Sequence, residues 1–172
     1  MIMSLEVQLL ELLSSVPPWL STIIISCLPL FELRGSIPIA LGIYGLPPLS
    51  TYLLAVFGNM LPVIPLLLFL EPVSIQMRRY APFDRFFSWL FSRTHRNHSE
   101  SFEKYGILAL LLFVAIPLPA TGAWSGCAAA FVFGIKFKHA FPAILAGVMI
   151  AGIIVSIVTL TGISLFDLFL VR

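Results

Sequence analysis

Glu32 and Arg34 are the only charged residues between Glu11 and Glu71. A charge deep in an apolar membrane segment costs roughly 2.5–3.5 kcal/mol even on insertion scales, so it needs a partner, a watery cavity or a task. Arg34 offers a permanent cation whose five donors suit phosphate or carboxylate. Glu32 can exchange a proton when its charged form is desolvated. Residues two apart do not face each other on a helix, so a purely structural pair would require irregular backbone. That alternative stands beside the binding one.

A second group of polar edges lies in 116–126, IPLPATGAWSG, where Thr121, Trp124 and Ser125 interrupt an apolar stretch. Gly35, Gly122 and Gly126 would let a ligand approach the backbone. Ser36, Ile37 and Pro38 read as the N-cap and first turn of one helix, and Thr121 or Ser125 as the cap of another. Helix N-termini there would present free N–H groups and positive dipole ends to an anion. The incoming helices bring carbonyl ends to the same places, which weakens that attraction. The small residues 126–130 read as a tight helix contact rather than a binding surface.

Enzyme chemistry finds no footing. The chain has no HExxH, CxxC, phosphate-binding glycine loop or Gly-x-Ser-x-Gly. Asp84 and Asp167 lie outside the apolar stretches. His95 and His98, near Glu100 and Glu103, have spacing compatible with zinc but read first as a solvated polar turn. Cys27 and Cys127 read as small buried hydrophobes. The expectation is a non-enzyme without cofactor or metal, and without a nucleic-acid partner.

The elements that hold these residues follow from composition. The sequence is 59% hydrophobic and 10% charged, against about a quarter charged for soluble domains. That excludes a soluble enzyme and a disordered chain and predicts an integral membrane protein. The net charge of +2 says little about partners, because the charges are clustered. The N-terminal residues lack a basic region and carry Glu6 and Glu11, which argues against a signal peptide. Apolar residues share one face of 1–16, predicting a surface-lying amphipathic helix.

Stretches 50–70 and 141–165 are each long enough to cross a ~30 Å hydrocarbon core. Pro62 and Pro65 predict a kink in the first. Stretches 17–48 and 105–135 are too short for two spans and too long for one, since a span takes about 20 residues. Both are broken midway, by Pro29, Gly35 and Pro38 in one and by Pro117, Pro119, Gly122 and Gly126 in the other. Each reads as a re-entrant hairpin of two half-helices; a single long kinked span is the alternative. Basic residues dominate 71–104 and return at Lys136 and Lys138. The positive-inside rule places both islands in the cytoplasm, which a hairpin over 105–135 permits. An interfacial helix with Phe83, Phe86, Phe87, Leu90 and Phe91 on one face is expected within 71–104.

The halves also resemble each other. LPLFELRGSIPIALGIYG (28–45) aligns with IPLPATGAWSGCAAAFVFG (116–134), and Gly58 with Gly147. Hairpin, polar turn and span recur in that order. The predicted fold is an all-α integral membrane protein. It is an inverted repeat of re-entrant hairpin plus transmembrane helix, with peripheral amphipathic helices. Inverted repeats with broken helices are a transporter pattern. The whole chain, 1–172, reads as one membrane domain: helix 1–16, first repeat 17–70, linker 71–104, second repeat 105–166.

The run Pro29-Leu30-Phe31-Glu32-Leu33-Arg34-Gly35-Ser36-Ile37-Pro38, with Gly58-Asn59, Pro62 and Pro117-Leu118-Pro119-Ala120-Thr121-Gly122-Ala123-Trp124-Ser125-Gly126, resembles the small multidrug export family. The resemblance covers roughly 20–160 and implies export. That family is in turn distantly similar to the DedA-like (VTT-domain) membrane proteins, which implies movement of lipid or polyprenyl-phosphate headgroups. The sequence thus predicts a multi-pass cell-membrane transporter for an anionic amphipath or small drug-like molecule, with a site between two hairpins. Arg34, Gly35, Thr121, Gly122, Trp124 and Ser125 would bind substrate, and Glu32 would carry a proton. The partners expected are membrane lipids and a second copy in a homodimer. The competing reading is a non-transporting membrane scaffold or assembly factor with a structural Glu32–Arg34 pair.

Overall fold

Proline and glycine punctuate the chain into short helices. The computed structural model describes residues 16–77, 100–118 and 121–170, and every regular element among them is helical. They are α1 (Pro18–Cys27), α2 (Glu32–Pro38), a π-helical turn (Ile39–Ile43), α3 (Pro48–Met60), α4 (Val63–Met77), α5 (Glu100–Ala115), α6 (Ala123–Val132) and α7 (Phe137–Leu170). Two stretches, Pro48–Leu70 and Phe137–Ser164, are long and apolar enough to cross a membrane. The sequence-predicted helices in 1–16 and around 83–91 lie outside the described residues. The chain divides into two units: Met1–Asn59 with Gly152–Arg172, and Met60–Ala151.

In the first unit, Pro18 starts α1 where a missing N–H costs nothing. Leu28 ends it in extended backbone, as the residue before Pro29 prefers. The turn is held by Phe31 and Glu32 N–H groups donating to the Leu28 carbonyl at 3.2 and 3.0 Å. α1 buries Ser21, Thr22, Ile25 and Ser26, and α2 buries Glu32, Leu33, Ser36 and Ile37. Both are single helical stripes, and the two helices pack on each other. The returning helix therefore starts at Glu32, four residues before the expected Ser36 cap. Pro38 sits inside it rather than at its first turn. The proline lacks an N–H for the usual i−4 bond, and the helix widens after it: Tyr44 N–H reaches the Ile39 carbonyl at 3.1 Å.

α3 buries Thr51, Ala55, Gly58 and Asn59 along one face. The Ser26 hydroxyl donates to the Ala55 carbonyl at 2.6 Å. A Cβ on Gly58 would stand 2.5 Å from the Ile23 carbonyl oxygen. The last part of α7 joins this unit at Gly152, where a Cβ would meet the Tyr52 ring at 2.9 Å.

In the second unit, turns at Leu61 and Pro62 separate α3 from α4, at the first of the two prolines expected to kink this stretch; Pro65 lies within α4. α4 runs on to Met77 and α5 begins at Glu100, so both ends of the expected 71–104 linker are helical. The interior is built from Leu110, Val114, Ala123, Cys127, Ala130, Ala143, Ile144 and Val148. The Cys127 thiol donates to the Val63 carbonyl across 3.9 Å, seating α6 on α4. Gly126 allows contact between α5 and α6, since a Cβ there would lie 2.6 Å from Val114 Cγ2. Of the small residues 126–130 expected in a tight contact, Gly126, Cys127 and Ala130 are buried here, whereas Ala128 is exposed.

The units repeat two devices. Gly45 (φ +62°) and Gly134 (φ +66°) both follow the second short helix in left-handed backbone that an L side chain resists. At Gly134 the Ile135 N–H returns to the Ala130 carbonyl at 2.9 Å, closing α6. Gly58 meets the first short helix of its unit at Ile23. Gly147 meets the first short helix of its own at Val114 (2.7 Å) and the Leu111 carbonyl (2.9 Å).

Candidate functional site

The two predicted charges sit where the first unit's chain reverses. Glu32 is 9% exposed, and Arg34 is half-buried two residues on. Glu32 has φ +44°, the single positive φ at a non-glycine residue among the described residues. Left-handed backbone costs an L residue about 1–2 kcal/mol. Burial of a carboxylate adds to that cost. Left-handed backbone at a buried glutamate is the kind of outlier that gathers at ligand sites and switch regions.

The backbone penalty is directly measurable. Helices ordinarily favour alanine over glycine. At position 32 the order reverses: Glu32→Gly is expected to be more stable than Glu32→Ala by about 1 kcal/mol. Both variants lose the carboxylate, so thermal unfolding of the pair isolates the backbone. A more stable alanine variant would contradict the left-handed geometry.

Gly35 does not lie open to a ligand on its missing-side-chain side. A Cβ there would be 2.8 Å from the Phe31 ring, which already fills that space. Ser36 is wholly buried one turn beyond Glu32 and caps nothing.

The second unit gathers Thr121, Gly122, Trp124 and Ser125 around the start of α6. Gly122 is the buried N-cap, and no side chain caps the helix. Neither Thr121 nor Ser125 performs the expected capping. Thr121 instead fastens the break: its Oγ1 accepts from Leu118 N–H at 3.1 Å and donates to the Ile116 and Leu118 carbonyls at 2.8 and 2.9 Å. The Ser125 hydroxyl turns back to the Gly122 carbonyl at 3.3 Å. Trp124 and Ser125 are both half-buried. Thr121→Val should therefore cost about 1 kcal/mol of stability, while Thr121→Ser keeps most of it. Thermal unfolding of the two variants checks this, and equal stability would remove the fastening role.

Thr51 and Ser26 escaped the sequence reading. Their signal is the spacing of small polar residues at one helical face, Thr51–Ala55–Asn59 and Thr22–Ser26. Neither cysteine is in a disulfide; Cys127 is buried and Cys27 half-buried. His95 and His98 lie outside the described residues. Within the described residues no group of three or more His, Cys, Asp or Glu could hold a metal ion.

A family model described as "Putative small multi-drug export protein" matches residues 32–154, well over half of the chain. The match begins at Glu32. No curated protein and no solved structure matches this chain.

Proposed function

This chain belongs to the small multi-drug export protein family, and from that premise we propose that it moves an anionic amphipathic substrate across or within the membrane. Glu32 carries the proposal. It is a buried carboxylate in left-handed backbone, two residues from a half-buried arginine, in otherwise uncharged sequence.

Arg34 binds the anionic headgroup through paired N–H donors. Glu32 couples the movement to a proton. Thr121, Gly122, Trp124 and Ser125 shape a substrate-facing surface in the second unit. The substrate is a phosphate-headed lipid or isoprenoid, whose anionic head suits the forked donors of Arg34; a small drug-like anion fits the same cation.

The short arms support re-entrant hairpins. α1 has ten residues, giving ~15 Å, half of a bilayer core. The matching glycines at 45 and 134, and at 58 and 147, support an internal repeat, inverted because each half crosses once. In the same reading the protein is a multi-pass cell-membrane homodimer with 71–104 and 136–138 in the cytoplasm.

The test is reconstitution into liposomes. A fluorescent phosphate-headed isoprenoid and a cationic drug-like dye are presented separately, with and without a proton gradient. Gradient-dependent movement of the isoprenoid is expected. Movement of the cationic dye alone would overturn the anion reading.

A further inference from the structure

We infer that the interior of the first unit holds water on the oxygens of Ser36, Thr51 and Asn59, and that this water carries protons to Glu32. The inference deepens the proposed function and rests on its reading of Glu32 as the proton carrier.

Among the described residues, the buried polar side chains are Ser21, Thr22, Ser26, Glu32, Ser36, Thr51 and Asn59. All belong to the first unit. Among the described residues of the second unit the buried residues are apolar, although the Nδ1 atom of the half-buried His139 is also shielded from solvent. Among the described residues, most buried polar side chains thus lie in the first unit.

Three of these residues are satisfied by backbone. Ser21 donates to the Val16 carbonyl, Thr22 to Pro18 and Ser26 to Ala55. Elsewhere Thr159, Thr161 and Ser164 turn back to carbonyls of their own helix, the ordinary refuge of a hydroxyl in an apolar helix. Ser36 Oγ, Thr51 Oγ1 and Asn59 Oδ1 do not, although each residue is at most 1% exposed. They have no hydrogen-bond partner, and neither do Tyr44 Oη and Ser156 Oγ in the same unit. A buried polar atom left this way costs stability, so it persists where water or a ligand repays it.

Placement gives these oxygens a direction. Ser36 follows Glu32 by one turn on the same buried face of α2. Thr51 and Asn59 flank Ala55 on the buried face of α3, which is tied to α1 by Ser26. α1 packs on α2. Three helices of one unit thus carry buried polar side chains, with α1 in contact with both of the others. None of the unpartnered oxygens hydrogen-bonds another, so each is left to pair with water. A hydroxyl both donates and accepts, as proton relay through water requires.

The experiment follows the carboxyl proton of Glu32 by infrared spectroscopy of the full chain in lipid nanodiscs. The Glu32 band is the protonated-carboxyl stretch lost in Glu32→Gln. After mixing into heavy water it should exchange within the mixing time in the wild type. Ser36→Ala with Thr51→Val should slow exchange by about tenfold, the factor given by a barrier higher by about 1.4 kcal/mol. The same variant should still unfold cooperatively, so that slowed exchange is read in folded protein. Equal exchange rates in the folded variant would overturn the inference. So would a Glu32 band that responds to sodium and not to pH. The readout needs no transported substrate, so its failure and the failure of the transport reading are distinguishable.

Discussion

Gly58→Ala is expected to leave little folded protein. A Cβ at position 58 would stand 2.5 Å from the Ile23 carbonyl oxygen, 2.9 Å from its Cα and 3.1 Å from its carbonyl carbon. All three neighbours are backbone, so no side chain can rotate away. Either α3 lifts off α1, or α1 bends. Lifting off also stretches the 2.6 Å bond from the Ser26 hydroxyl to the Ala55 carbonyl, one turn away. Overpacking of this kind costs about 1–3 kcal/mol, and more where backbone must move. Gly147→Ala meets Val114 Cβ at 2.7 Å and the Leu111 carbonyl at 2.9 Å and should cost a similar amount. The control is Gly162→Ala. It lies in the same helix as Gly147 with nothing within 4 Å of the added carbon. Helix propensity alone should make it more stable by about 0.5–1 kcal/mol. Thermal unfolding in detergent separates the three. If all three behaved alike, the close helix contacts would be wrong.

Exchanging the two charges, Glu32→Arg with Arg34→Glu, should leave transport at background although net charge is kept. The two positions are not equivalent. Position 32 is buried in left-handed backbone, whereas position 34 is half-buried in the first helical turn. A proton carrier and an anion-binding cation cannot trade places between such environments. A scaffold needing only a pair of opposite charges would accept the exchange. Growth complementation together with proteoliposome transport reads both possibilities. Restoration of both by the double variant would favour the scaffold.

Length and helix breakers carried much of the fold in the sequence. Pro29 and Pro62 end helices where expected, because a residue before proline avoids helical backbone and proline brings no N–H. Pro38 misled for the same reason in reverse. It reads as a first-turn residue, but here a π-turn absorbs its missing bond and the helix extends back to Glu32. No side-chain rule predicts a glutamate at φ +44°; that conformation comes from the turn closed on the Leu28 carbonyl. Thr121 was singled out for its position, yet its role depends on carbonyls that only the folded break brings within reach. The polar interior of the first unit was half legible. Glu32, Ser36 and Asn59 stand out by type, whereas Thr51 looks like any membrane-helix threonine until its hydroxyl proves to be buried without a hydrogen bond to its own helix.

The measurement that bears most directly on the account is movement of a fluorescent phosphate-headed isoprenoid in proteoliposomes by wild type and Arg34→Ala. A charge-assisted contact worth about 3 kcal/mol predicts a loss of about a hundredfold in the variant, with thermal unfolding unchanged. Equal rates in the two proteins, or no movement by well-folded wild type, would contradict it.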